Sequence, residues 1–334
     1  MNHRQLLKTF LERGYITKGD RMLLLLSSSY GFTIAKRIFP SMDETIRNDA
    51  TVSCQVKAEI PVYRGDHETA HAIIQQLEAA HHPALYCALV HGSIASSEET
   101  AYSDFDGILV IDESKIEHPS SLFSLRKLIH KTEQLFYKTD ALQHHGWQVL
   151  LKSELNQYPD HLLPFALFQS GRMLYPYRAF TIDALVSLTP ADYRIPLKQT
   201  CRSILRKCIS ESALRDHYAL KNFLSEVLLL PALFIQAQRG SSILKKESFR
   251  LLKTDYPTLD SSLMDQVSQI RLNWQQEKFS TSLEYFHRLR SAGLYVHALA
   301  PDIPVMIKMQ VNRDFLNSTE KFCLDLLKRA GLDE

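Results

Sequence analysis

Two short apolar runs, residues 84–90 and 105–111, constrain the fold of this chain more than any other feature of its sequence. The first run is bounded by Pro83 before it and Gly92 after it, and both runs are shorter than a typical helix. Continuous apolar runs of this length, closed by turn-forming residues, are typical of strands buried on both faces. The sequence therefore predicts a sheet in which these two segments are core strands.

Other elements of the first half follow the same kind of pattern. Apolar residues recur at helical spacing from residue 66 to about 80, and a helix rich in Leu and Lys is predicted over 122–137. Alternating or apolar segments predict further strands over 52–62 and 146–152. Helices that alternate with strands in this order indicate an α/β or α+β sheet domain.

The second half has a different, helical character. Amphipathic helices are predicted over residues 199–211, 217–239, 261–277, 281–292 and 315–330. The connections 156–164 and 175–196 hold much of the proline. We therefore expect an α+β protein in which a leader, residues 1–65, packs on a small mixed β-sheet domain, residues 66–158, and an α-helical bundle domain follows over residues 159–334.

Composition excludes several classes of protein. A chain of 334 residues is long enough for two hydrophobic cores. Its 39 basic and 37 acidic residues leave a formal net charge of +2, which disfavours a protein held on nucleic acid by its overall charge. The five cysteines form no CxxC pair, which suits reduced thiols in a cytoplasmic protein. No apolar run approaches the roughly 20 residues that a membrane-spanning helix needs, so no membrane anchor is expected.

The connection between the two apolar runs carries the candidate chemistry. Gly92-Ser93 follows the first run after a single residue, His91. A glycine turn lets a phosphate group approach the backbone while the serine hydroxyl donates a hydrogen bond. Asp104 and Asp106 stand at the head of the second run, with Phe105 between them. Because side chains alternate along a strand, both carboxylates are predicted to share one face. Two carboxylates so close together favour a bound divalent cation, Mg²⁺ or Mn²⁺.

The motif His91-Gly92-Ser93, followed by Ser103-Asp104-Phe105-Asp106 entering an apolar strand, resembles the signature of the nucleotidyltransferase superfamily related to DNA polymerase beta. The resemblance covers about residues 66–155. It implies that Asp104 and Asp106 bind the metal and act in catalysis, and that Gly92, Ser93 and Ser103 contact the nucleotide.

One feature departs from the family pattern. Family members usually place a third carboxylate on a later strand, but the candidate strand at residues 145–151 contains no acid, and Asp140 and Glu154 only flank it. The cluster Gln143-His144-His145 offers a metal ligand or general base instead, with His144 and His145 as the catalytic candidates.

The helical half also resembles the helical domain attached to small-molecule nucleotidyltransferases. In that domain a lysine often reaches the triphosphate across the cleft. This resemblance makes Lys221 the first candidate for the contact, with Lys245 and Lys246 behind it.

The expected activity is transfer of a nucleoside monophosphate from a nucleoside triphosphate to an acceptor hydroxyl. A small-molecule acceptor fits the near-neutral charge better than nucleic acid does, and a tRNA or a protein side chain stays open as acceptor. Two other readings also stay open: a nucleotide-binding sensor that has lost turnover, and a metal-dependent glycosyltransferase that uses the Asp-x-Asp motif to bind a sugar nucleotide.

Overall fold

The computed structural model describes residues 52–140, 142–143, 145–275 and 300–332, together with isolated positions between residues 4 and 12. Within this part of the chain, helices and strands are mixed and the sheets are small, which confirms the α+β class. His144 and the helix predicted over residues 281–292 lie outside the described residues.

Six strands in the described chain form two sheets. They are β1 Val52–Ile60, β2 Leu85–Val90, β3 Gly107–Ile111, β4 Gln148–Leu151, β5 Arg172–Tyr175 and β6 Phe180–Leu188. The larger sheet has the strand order β4-β3-β2-β5, in which β3 runs parallel to β4 and β2 runs antiparallel to both β3 and β5. The other sheet is an antiparallel pair of β1 and β6. The larger sheet is thus mixed, as the sequence predicted.

Helices cover the sheet and make up the second half of the described chain. They are α1 Glu68–Ala80, α2 Gly92–Ser96, α3 Pro119–Thr139, α4 Ala166–Ser170, α5 Pro190–Ser210, α6 His217–Arg239, α7 Lys245–Asp255, α8 Ser262–Leu272, α9 Val305–Gln310 and α10 Arg313–Arg329. The long helices agree with the apolar periodicity of the sequence to within a few residues at most ends, although α5 begins nine residues before its predicted start.

The strands β5 and β6 correct the prediction that the chain becomes helical after residue 159 and that residues 175–196 form a connection. β5 pairs with β2 at the edge of the larger sheet, and β6 pairs along its whole length with β1, from Val52 opposite Leu188 to Ile60 opposite Phe180. Both strands are specified by partners far away in the sequence. The long helices of the second half begin only at α5.

The two strands predicted first lie at the centre of the larger sheet. Every residue of β3 is buried, and so is all of β2 except the half-buried Tyr86. One face of this sheet packs against α1 and α3, and the other face packs against the β1–β6 pair and the aromatic side chains of residues 158–168. The predicted burial on both faces is therefore confirmed.

A separate hydrophobic core joins the helices of the second half, with α6 at its centre. Among the described helices, α6 alone is long and apolar enough to cross a membrane, judged by length and composition. However, 67% of its most apolar stretch is buried inside the protein. That burial is typical of a core helix. All five cysteines are free thiols and four of them are buried, which confirms the prediction that they form no disulfide framework.

Candidate functional site

A backbone hydrogen bond joins the residue after β2 to the segment before β3. His91 donates its backbone N–H to the carbonyl oxygen of Asp106 at 2.9 Å. Gly92 follows with φ +68°, a left-handed conformation that side chains other than glycine rarely adopt. A Cβ atom at position 92 would lie 2.9 Å from Asp106 Oδ2. The glycine bend therefore lies directly against a carboxylate: its conformation favours glycine, and a larger residue would also have to displace the Asp106 carboxylate.

The two aspartates face one shared volume. They stand at the head of β3, as predicted, although the strand begins at Gly107 and not at the predicted residue 105. Phe105 between them is fully buried and stacks on Phe136 with ring centroids 4.5 Å apart. On the opposite side, Asp104 Oδ2 and Asp106 Oδ1 lie 3.8 Å and 3.2 Å from the same atom, His145 Nε2. The predicted orientation of the carboxylates is confirmed.

Gln143 fixes the backbone between the two aspartates. Its side-chain oxygen accepts from the N–H of Phe105 at 2.9 Å, and its amide nitrogen donates to the carbonyl oxygen of Phe105 at 3.1 Å. The same amide nitrogen donates to the carbonyl oxygen of His145 at 2.8 Å. One buried side chain thus positions the aspartate pair and the histidine relative to each other.

A third carboxylate and a lysine complete the cluster. Asp140 ends α3 and has a side chain only 3% exposed. Lys221, on α6, has no exposed side-chain surface and donates from Nζ to Asp104 Oδ1 and to Asp140 Oδ2. Lys221, which was predicted to contact a phosphate group, therefore reaches Asp104 of the aspartate pair. Its two hydrogen-bond acceptors in this structure are carboxylates.

The charges of these groups are strongly perturbed. Burial raises the pKa of Asp140 to about 6, although Lys221 opposes the shift, and the charge of Asp104 adds to it. Burial opposes ionisation of His145, but its hydrogen bond to Asp106 and the charges of Asp106 and Asp104 outweigh that effect and raise its pKa. Burial also acts against ionisation of Asp106, yet His145 and the nearby His91 keep its pKa below the ordinary value. Such perturbed groups in one place are typical of functional sites.

Two cations of the helical half, Lys245 and Arg271, lie in the neighbourhood of the aspartate cluster. Lys245 is an exposed residue whose pKa is lowered, first by partial desolvation from the surrounding protein and then by the charge of Arg271, while Asp106 and Asp104 oppose the shift. Arg271 lies 5.0 Å above the ring of Tyr102, and its buried Nε has no hydrogen-bond partner among the described residues. These cations belong to the same electrostatic environment as the aspartates.

Comparisons of this chain with protein-family models, with curated proteins and with solved structures found no match.

The remaining predicted residues lie around this cluster. Ser93 is half-buried within α2, directly after the glycine bend. Ser103 is buried and closes a turn, since its hydroxyl accepts from the N–H of Thr100 at 2.9 Å. Lys246 pairs with Glu98 at 2.6 Å, which links α7 to the segment after the glycine bend. His144 lies outside the described residues.

Three contributors were not assigned by the sequence patterns. Asp140 was set aside because it lies before the expected strand, and no local motif marks Tyr102 or Arg271. Tyr102 donates its hydroxyl to the carbonyl oxygen of Lys221 at 2.8 Å and so ties α6 to the aspartate segment. A polar residue at the end of a helix that precedes a core strand is the only signal that could have selected Asp140.

Proposed function

We propose that this protein is a metal-dependent nucleotidyltransferase that moves a nucleoside monophosphate from a nucleoside triphosphate to an acceptor hydroxyl. The observation that supports this proposal most directly is the contact between the glycine bend at Gly92 and the carboxylate of Asp106, beside Asp104. It brings a backbone that a phosphate group can approach next to two acidic groups. In this proposal the larger sheet is the nucleotidyltransferase domain, and the helices after it close one side of the cleft.

The donor set fits a divalent cation. Asp104 Oδ2 and Asp106 Oδ1 approach one neighbouring atom to within 4 Å, so they border the same small volume, and the side chain of Asp106 is 30% exposed. Mg²⁺ is usually bound through one or two carboxylates, with waters and substrate phosphates as its other ligands. Among the described residues no group of three or more His, Cys, Asp or Glu side chains is arranged to hold a metal ion. When bound, Mg²⁺ or Mn²⁺ would neutralise the phosphate charge that develops during transfer.

The chain's own residues would orient the reactants and move one proton. The acceptor hydroxyl forms a bond to the α phosphorus, the bond from that phosphorus to pyrophosphate breaks, and the hydroxyl proton goes to Nδ1 of neutral His145, because its Nε2–H already donates to Asp106. His145 lies within reach of both aspartates and retains a side chain 32% exposed, so a hydroxyl group can approach it. Gln143 hydrogen-bonds the backbone of both Phe105 and His145 and so fixes the histidine next to the aspartates.

The cations of the cleft are suited to the polyphosphate. Lys245 interacts electrostatically with Asp104, Asp106 and Arg271. Lys246 is 81% exposed and pairs with Glu98, in the segment after the glycine bend. A triphosphate between them would be attracted by three positive groups, with the arginine fork able to bind two phosphate oxygens. We therefore assign Gly92, Ser93 and these cations to nucleotide binding.

A small molecule with hydroxyl groups, such as an aminoglycoside-like compound or another polyol, is the proposed acceptor. The near-neutral net charge of +2 supports it over a long nucleic acid, which usually requires a basic surface. A cytoplasmic location accompanies this proposal, since the substrate is a nucleoside triphosphate and the cysteines are free thiols.

The test is a pyrophosphate-release assay on the full chain with each nucleoside triphosphate, Mg²⁺ and a panel of polyol acceptors. We expect the substitution Asp104→Asn to lower the rate by at least a hundredfold, because it removes one of the two carboxylates that would hold the divalent cation. Asp112→Asn is the matched control, since Asp112 follows β3 at its other end and pairs with Lys152 at 2.8 Å. Release that survives in the Asp104 variant at the wild-type rate would refute the assignment.

A second function, nucleotide binding without turnover, is favoured by one observation. Asp104 is partly neutralised by the buried Lys221, which leaves less charge for a metal ion. Calorimetry that shows nucleoside triphosphate binding, together with no pyrophosphate release for any acceptor in the panel, would select this function instead.

A further inference from the structure

Lys221 is held between two carboxylates in a place with no access to solvent. Its side chain is 0% exposed, and Nζ bonds Asp104 Oδ1 and Asp140 Oδ2. The ammonium group also lies 5.1 Å from the centroid of the Tyr102 ring. A lysine buried to this extent is retained only where opposite charges compensate the loss of hydration.

Both ends of this arrangement are fixed by other contacts. Asp140 Oδ1 accepts from the N–H of Leu142 at 3.0 Å, which orients the carboxylate. Tyr102 bonds the backbone of Lys221 at 2.8 Å and lies 2.8 Å from the hydroxyl of Ser225 one turn further along α6. The lysine therefore cannot swing out toward a ligand without breaking buried hydrogen bonds.

The charge of the cluster matches a single divalent cation. Asp104, Asp106 and Asp140 carry three negative charges when ionised, and Lys221 carries one positive charge, so three minus one leaves two negative charges when His145 is neutral. One divalent ion cancels that charge. A second would leave an excess of two positive charges beside a buried ammonium group, which repels it.

We propose that Lys221 is a built-in cation that takes the place of a second divalent ion, and that Asp140 positions Lys221 instead of binding metal. The centre then binds one divalent ion, on Asp104 and Asp106. This inference rests on the proposed function, and it departs from the third metal-binding carboxylate that the family resemblance implies.

The test compares Mn²⁺ binding by the wild-type chain and by variants that change the charge of the cluster. Mn²⁺ is titrated into the full chain without nucleotide, so that only the charges of the protein act on the ion, and free Mn²⁺ is counted by electron paramagnetic resonance. We expect one ion per wild-type chain. Lys221→Met should bind Mn²⁺ about tenfold more tightly or take up a second ion, and Asp140→Asn should bind about tenfold more weakly, since each changes the local charge by one.

The double variant Lys221→Met with Asp140→Asn decides between the two roles of Asp140. It restores the wild-type charge and removes the Asp140 carboxylate that the loss of Lys221 would leave unpaired, while Asp104 keeps the divalent ion as its counter-charge. It should therefore fold in the presence of Mn²⁺ and bind one ion with an affinity within about threefold of wild type. Circular dichroism checks the fold of each variant. Lys207→Met is the matched control, because Lys207 pairs with Glu226 at 2.7 Å within the helical half and should leave Mn²⁺ binding unchanged.

Two ions on the wild-type chain, or loss of the ion in the folded double variant, would overturn the role assigned to Lys221. If either result is found while pyrophosphate release still depends on Asp104, only this inference is overturned and the proposed function stands. Absence of Mn²⁺ binding by the wild-type chain overturns both the inference and the proposed function.

Discussion

Gln143 is the residue whose removal should disturb the site most without touching a charged group. Its side chain is 3% exposed and makes hydrogen bonds of 2.9 Å and 3.1 Å with the backbone of Phe105 and one of 2.8 Å with the carbonyl of His145. The substitution Gln143→Leu keeps a similar volume but leaves two buried backbone groups of Phe105 without partners. Each such group costs about 1–3 kcal/mol, so we expect the free energy of unfolding to fall by roughly 3 kcal/mol.

Thermal melting followed by circular dichroism measures this effect. A loss of about 3 kcal/mol in a chain of this size corresponds to a Tm lower by roughly 4 °C. The matched control is Gln134→Leu, since Gln134 is half-buried on α3 and its amide contacts only His130 Nε2 at 3.2 Å among the described side chains. We expect that variant to change stability by less than about 0.5 kcal/mol. A Tm for Gln143→Leu within about 1 °C of the control value would show that Gln143 does not hold the aspartate segment.

Two further predictions concern neighbouring groups. Gly92→Ala should lower the free energy of unfolding by about 1–2 kcal/mol, because φ +68° is strained for alanine, and it should also displace the carboxylate of Asp106. Urea denaturation measures the loss of stability, and an unchanged free energy of unfolding would contradict the prediction. The NMR titration of His145 should give a pKa above 6.5 that falls in Asp106→Asn. Because the folded pKa is raised, this pair contributes its full stability below about pH 6.5 and loses it as the pH rises through the folded value. A histidine titration curve that is unchanged by Asp106→Asn would contradict the assignment.

The central part of the fold and site was predictable because its signals are local. β2, the glycine bend, the aspartate pair and β3 follow one another within residues 85–111, where apolar runs and turn residues mark each boundary. The burial of Phe105 follows from simple alternation of side chains. In this segment the neighbours in sequence are also the neighbours in space.

The missed features depend on distant partners. β6 pairs with β1 across more than a hundred residues, and prolines at 176, 190 and 196 suggested a connection there instead. Lys221 and Asp104 are 117 residues apart, and the sequence predicted that the lysine would reach the site without indicating that Asp140 would share it. Periodicity reports which face of an element is apolar, but it does not report which elements meet.

The burial of Lys221 makes the acidic centre a joint product of both halves of the chain. The first half of the chain supplies Asp104, Asp106 and Asp140, while the ammonium group that bonds both Asp104 and Asp140 arrives from α6. A fragment that ended before residue 217 would hold three crowded carboxylates with no lysine to separate them, and their mutual repulsion would favour opening of that edge. Neither half is therefore expected to assemble the centre by itself, and mixing separately expressed halves should restore it only to the extent that they associate.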